Sequence, residues 1–247
     1  MQLNRWLEST GLFLFRYRSQ IPALTLLVFF LVMQPNDGVG FHLANLKWDL
    51  LCLAVSLVGL GIRVRTLGST PEGTSGRNRR HQVANTLNTT GTYSLVRHPL
   101  YLGNFIIFFG ISMVPHALWI VALNTALFWV FYLPIIYAEE QFLTRKFGEA
   151  YKEWMRHTPL VVPWRILRWR SSDRAFSVQT AVRREYQTLF AILAYYALLE
   201  MTGDIVEAGH FVIDPVYAGV FLVTLALYLG ARYLVKHTHL FTIPTQS

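Results

Sequence analysis

Two short stretches concentrate the side chains able to do chemistry: Arg97-His98-Pro99-Leu100-Tyr101-Leu102-Gly103 and Tyr137-Ala138-Glu139-Glu140. Pro99 suits the first position of a helix, where its missing N–H is harmless. Arg97 and His98 are then expected beside unpaired amides at the positive end of that helix, a ready place for an anion. Tyr101 follows in the first turn, and Gly103, with no side chain, would let a flat ligand or another backbone come close. In the second stretch two carboxylates end a long apolar run. Acids late in a helix oppose its dipole unless the helix continues, and Phe142, Leu143 and Phe147 predict that it does, toward Gly148. An uncompensated charge in a bilayer costs about 2.5–3.5 kcal/mol on insertion scales. Glu139 and Glu140 are therefore expected to pair with Arg97 or to hold a cationic ligand. Arg97 and His98 would also serve as headgroup anchors, and Tyr151 and Trp154 either close a site or simply pack. A third concentration, Arg77, Arg79, Arg80 and His81, reads as a clamp for an anionic substrate or as general attraction to anionic headgroups.

The elements that must position these residues follow from composition. Of 247 residues 53% are hydrophobic and only 15% charged, against roughly 25% charged in soluble domains, and the mean hydropathy is +0.35. Residues 98–138 are forty-one positions without Asp, Glu, Lys or Arg. About 20 apolar residues cross a bilayer, so this run is two spans, near 100–114 and 117–138, turning at Pro115-His116. Further apolar runs at 19–36, about 48–66, 186–199 and 215–231 bring the expectation to an all-α transmembrane bundle of about six spans. Arg5, Glu8, Arg16 and Arg18 before the first run argue against a cleavable leader. The hairpin brings Arg97-His98 and Glu139-Glu140 to one face of the membrane. Twenty-two Lys+Arg against fourteen Asp+Glu give a net charge of +8. On the six-span reading all basic residues but Lys47 fall on one side, which the positive-inside rule makes the cytoplasm, with both termini there. The basic excess is then mostly orientation, and nucleic acid is not an expected partner. A lone Cys52 excludes an internal disulfide and a thiolate zinc cluster, and no metal site is expected. The chain divides into two N-terminal spans (1–66), a core of loop, hairpin and following helix (67–164), and a basic connector with two further spans (165–247).

Tyr93, Val96-Arg97-His98-Pro99, Tyr101 and Gly103, followed after one hairpin by Glu139-Glu140, Leu143, Phe147-Gly148, Tyr151 and the Pro159/Pro163 pair, resemble the isoprenylcysteine carboxyl methyltransferase and phospholipid methyltransferase superfamily of integral membrane enzymes. The resemblance covers roughly residues 50–164. It implies S-adenosylmethionine as methyl donor, bound on the cytoplasmic side without a Rossmann domain, and the chain carries no strand followed by Gly-x-Gly-x-x-Gly. It implies His98, Tyr101, Gly103, Glu139 and Glu140 at the cofactor, with Arg97 and Glu140 in catalytic roles. The chain departs from the pattern after Pro163, where many relatives end and this one continues with two more spans.

Methyl transfer from a sulfonium is an in-line displacement, so catalysis is chiefly positioning and exclusion of water. A carboxylate or phosphate acceptor is already ionised at neutral pH and needs only an anchor, whereas an amine would need a general base such as His98 or a glutamate. The surplus of cations favours O-methylation of an anionic group on a lipid or lipid-modified substrate, with Arg77, Arg79 and Arg80 as substrate contacts. An NADPH-dependent membrane reductase related to sterol reductases, or a non-catalytic lipid-binding protein, would share the helices but not the need for both motifs. A bacterial inner membrane is the expected location, as Phe241 to Ser247 resembles no endoplasmic-reticulum retrieval signal.

Overall fold

A computed structural model describes residues 2–18, 46–71, 73–74, 82–164 and 166–238. Within them the chain forms seven α-helices: α1 Gln2–Tyr17, α2 Leu46–Gly68, α3 Pro99–Met113, α4 Leu118–Phe147, α5 Glu149–His157, α6 Val178–Ala208 and α7 Pro215–His237. Four of these, α2, α4, α6 and α7, are long and apolar enough to cross a bilayer, and α3 is apolar but shorter. The chain is thus an integral membrane protein. The span expected at 19–36 lies outside the described residues.

Local chemistry sets the ends. Pro99 opens α3, and the α3–α4 turn falls at Pro115-His116 as expected, with His116 in the left-handed region. Trp48 of α2 holds that turn, donating Nε1–H to the Met113 carbonyl at 3.0 Å and lying against the His116 ring. Helix α4 runs 30 residues to Phe147 and stops at Gly148, whose φ is 56°. At 1.5 Å per residue it is about 45 Å long, well beyond a hydrocarbon core of about 30 Å. Its last turns, with Glu139 and Glu140, therefore reach the loop end of the bundle. Ser177 caps α6 by accepting from Thr180 N at 3.2 Å, and Asp214 caps α7 by accepting from Val216 N at 2.6 Å. Because α6 continues to Ala208, well past the apolar run 186–199, Asp204 is helical and only 209–214 connect to α7.

Helix α2 packs along α3 and α6, α4 packs on α3 and α1, and α7 packs on α6. The α2–α3 crossing is built from small residues, the usual way membrane helices approach closely. A Cβ on Gly59 would lie 2.6 Å from the Gly103 carbonyl oxygen, and one on Gly110 would lie 2.6 Å from that of Cys52. Ser56 Oγ donates across this crossing to the Ile107 carbonyl at 3.0 Å. Two apolar clusters result. Cys52, Ile107, Ile111, Ile192 and Leu199 fill the space between α2, α3 and α6. Phe15, Tyr101, Phe108, Phe128, Tyr132 and Ile136 fill that between α1, α3 and α4. The N-terminal charges Arg5, Glu8 and Arg16 lie on α1, where Glu8 pairs with Arg145 of α4 at 2.6 Å.

Candidate functional site

At the loop end the turn into α3 meets the last turns of α4. Arg97 Nη1 lies 2.6 Å from Glu140 Oε1, and His98 Nε2 lies 3.2 Å from the same oxygen. Tyr101 Oη donates to Glu139 Oε2 at 2.7 Å. The His98 ring stacks on Tyr101, 5.4 Å between centroids, and its Nδ1 stands 3.8 Å from Glu139 Oε2, too far for a hydrogen bond. The imidazole thus sits between two carboxylates, bonded to one. Tyr101 in turn rests edge-on against Tyr132, which stacks on Phe128. An apolar floor therefore fixes the polar cluster from below.

The amides of Arg97 and His98 are not free to bind an anion, contrary to the sequence expectation. After α5 the chain turns back, and Arg97 N donates to the Pro159 carbonyl at 2.8 Å and His98 N to that of Leu160 at 3.2 Å. This return segment seats Val161 in the apolar floor. The basic connector is likewise ordered: Gly91 N donates to the Arg170 carbonyl and Ser177 N to that of Gly68, each at 2.9 Å.

A cleft of about 180 Å³ opens beside the cluster. Its walls include Arg18, Arg63, Gln82, Arg97, His98, Tyr101, Asn104, Glu139 and Trp154. Glu139 lines it and Glu140 does not, so the two glutamates divide their work: one faces the cleft, the other holds Arg97 and His98. Two buried donors of the walls, Gln82 Nε2 and Trp154 Nε1, find no hydrogen-bond partner among the described residues, while Arg97 reaches the Tyr151 hydroxyl behind them. Burial, reinforced by the charge of Glu140, pushes the Tyr151 phenol up against the opposing pull of Arg97. It is neutral at physiological pH. Buried donors left unmatched are costly, so this wall is shaped for an acceptor-rich ligand.

The sequence-predicted residues Arg97, His98, Tyr101, Glu139 and Glu140 are brought together. Gly103 is not at the cleft. It faces α2, where a Cβ would lie 2.5 Å from Arg63 Cγ and 2.8 Å from the Gly59 carbonyl oxygen. Arg77, Arg79 and Arg80 lie outside the described residues. Among the described residues no group of three or more His, Cys, Asp or Glu could hold a metal ion. The wall residues Arg18, Arg63, Gln82 and Asn104 were missed by the sequence reading. Arg63 carries a signal, an arginine toward the end of a long apolar helix.

The cluster falls within a stretch that matches a known family. Residues 48–150 match the phospholipid methyltransferase family. The resemblance read from Arg97 to Gly103 and Glu139-Glu140 is thereby borne out. The chain is 33% identical over 133 residues to the cobalt-zinc-cadmium resistance protein CzcN of Cupriavidus metallidurans, covering 51% of this chain and 60% of that one. It is 34% identical over 89 residues to protein-S-isoprenylcysteine O-methyltransferase of Schizosaccharomyces pombe, 36% of each chain. It is 36% identical over 84 residues to methanethiol S-methyltransferase 2 of Bradyrhizobium diazoefficiens, 33% of this chain and 30% of that one. The chain thus spans at most 60% of the length of these relatives. No solved structure matches it. The stretch that matches the phospholipid methyltransferase family ends in α5, so α6, α7 and the return segment lie outside it.

Proposed function

We propose that this protein is an S-adenosylmethionine-dependent methyltransferase of the membrane that methylates an anionic group of a lipid or lipid-modified acceptor. The observation that carries this reading is the cleft wall, where the unmatched buried donors Gln82 Nε2 and Trp154 Nε1 stand with Arg97 and Glu139, in and just beyond the stretch that matches a methyltransferase family. Donors and carboxylate suit the two charge types of such a cofactor: Gln82, Arg97 and Trp154 would hold its carboxylate, and Glu139 would face its ammonium and sulfonium. When bound, that cofactor supplies an electrophilic methyl group. What the protein contributes is position. Tyr101 fixes Glu139, Glu140 fixes Arg97 and His98, and the aromatic floor keeps water from the inner end. Gly103 serves the cofactor only indirectly in this reading, by letting α2 close on α3. Arg77, Arg79 and Arg80 are proposed as further substrate contacts that draw an anionic acceptor to the site. The positive-inside rule puts the cleft toward the cytoplasm, and a bacterial inner membrane with both termini inside is the matching location.

Calorimetric titration of the purified, folded protein with S-adenosylmethionine and with NADPH tests the proposal. Saturable binding of the sulfonium alone is expected; binding of NADPH instead, or of neither, overturns it. Lipid mass spectrometry with and without the gene then identifies the acceptor by a gain of one methylene.

A further inference from the structure

Helix α2 delivers one more cation to the cleft, Arg63, in a setting unlike that of a headgroup anchor. Its Nε and Nη2 donate to the two carboxylate oxygens of Glu185 on α6, at 2.9 and 2.7 Å, and its Nη1 donates to Asn104 Oδ1 of α3. Asn104 Nδ2 passes on to the Tyr132 hydroxyl of α4 at 3.2 Å. Four helices converge on one guanidinium. Gly103 makes the room, since any side chain there would occupy the place of the Arg63 stem.

Stability alone does not call for this arrangement. Glu185 is 3% exposed and Arg63 14%, and replacing such a buried pair by apolar residues is often neutral or stabilising. The guanidinium also keeps something in reserve. It carries five N–H donors; Glu185 and Asn104 take three of them, which leaves one on each terminal nitrogen, and both Arg63 and Asn104 line the cleft. Asn104 lies about one helical turn beyond Tyr101, and Tyr132 about two turns before Glu139. The Arg63 end is therefore the bilayer side of the cleft. The two ends differ in chemistry: Gln82, Arg97 and Trp154 stand at the outer end, whereas Arg63 and Asn104 stand at the inner end above the aromatic floor. Arg18, just after α1, adds positive charge to the same cleft.

We propose that Arg63, held in place by Glu185, anchors the anionic head of the methyl acceptor, an amphiphile whose chain leads away toward the bilayer. Helix α6, outside the stretch that matches the family, thereby supplies a positioning residue to the site. This inference rests on the methyl-transfer reading of the same cleft.

The test is calorimetry of the full chain in a neutral maltoside detergent with tetradecanoate and tetradecyl phosphate, with tetradecanol as the uncharged control and S-adenosylhomocysteine as the probe of the cofactor end. Wild type is expected to bind at least one of the two anions more tightly than the alcohol. The double replacement Arg63→Met/Glu185→Met strands neither charge; it should keep the S-adenosylhomocysteine affinity and weaken the anion by roughly tenfold to a hundredfold. Arg63→Lys keeps a charge opposite Glu185 but cannot serve Glu185 and Asn104 together, and should weaken the anion alone. Unchanged anion affinity in either variant overturns the proposal, as does a wild type that prefers neither anion to the alcohol. If wild type binds the anion through Arg63 but not S-adenosylhomocysteine, the anion site stands and the methyl-transfer reading falls.

Discussion

Gly103→Ala separates two uses of one glycine, close approach of a ligand and close approach of a helix. In the fold a Cβ at this position would lie 2.5 Å from Arg63 Cγ and 2.8 Å from the Gly59 carbonyl oxygen, where ordinary contact begins near 3.4 Å. The first neighbour is a side chain pinned by Glu185 and Asn104, and the second is backbone, so neither yields cheaply. Helices α2 and α3 must part by roughly 0.6–0.9 Å. Overpacking of this kind costs about 1–3 kcal/mol, which raises the population of states with the crossing open by roughly 5- to 150-fold. The protein carries its own reporter of that opening. Cys52, the single cysteine of the chain, lies fully buried on α2 in the same crossing. When reclosing is fast, its labelling by a maleimide under native conditions follows the open population. Labelling of Gly103→Ala should accelerate within that range while S-adenosylhomocysteine binding falls at most modestly. A labelling rate equal to that of wild type, together with lost binding, would refute the packing argument and return Gly103 to the ligand.

Tyr101→Phe removes the hydroxyl bonded to Glu139 and keeps the ring on His98; cofactor affinity should drop roughly tenfold with the melting temperature little changed, and calorimetry beside thermal unfolding checks both. Tyr151 has a raised pKa caused first by burial, so above about pH 10 the unfolded chain ionises this phenol while the folded one does not. Folding stability should therefore fall as pH rises through that region, and Tyr151→Phe should flatten the fall in chemical unfolding followed by tryptophan fluorescence. Alanine at Arg79 and Arg80 together should raise the KM for a dispersed short-chain anionic acceptor; an unchanged KM would leave that cluster only a general attraction to headgroups.

The sequence alone carried the features that depend on local composition. A charge-free run broken at Pro115-His116 could only be a hairpin, and Phe142, Leu143 and Phe147 already required α4 to continue past its two acids. Arg97, His98, Tyr101, Glu139 and Glu140 could be joined because a hairpin returns its two ends to one face. What stayed hidden depends on partners distant in sequence. Glu185 is 122 residues from Arg63 and carries no mark in its own surroundings. The amides of Arg97 and His98 look free until Pro159 and Leu160 return to take them. Gly103 announces that something comes close without saying what, and only the rotation of α3 against α2 assigns it to a helix. The division of labour between Glu139 and Glu140 likewise follows from which side of α4 each occupies in the packed bundle, and adjacent letters cannot express it.

The span between Arg63 and its partner also bears on how the protein is made. Membrane chains assemble from the N-terminus forward as they are synthesised, so α2 enters the bilayer with a charged end whose counter-ion is still unwritten. Until α6 arrives that guanidinium must remain near the headgroups, and α2 cannot settle at its final depth. Final seating of α2 is thus expected to wait for α6, and a chain ending before Glu185 would leave the arginine outside its socket.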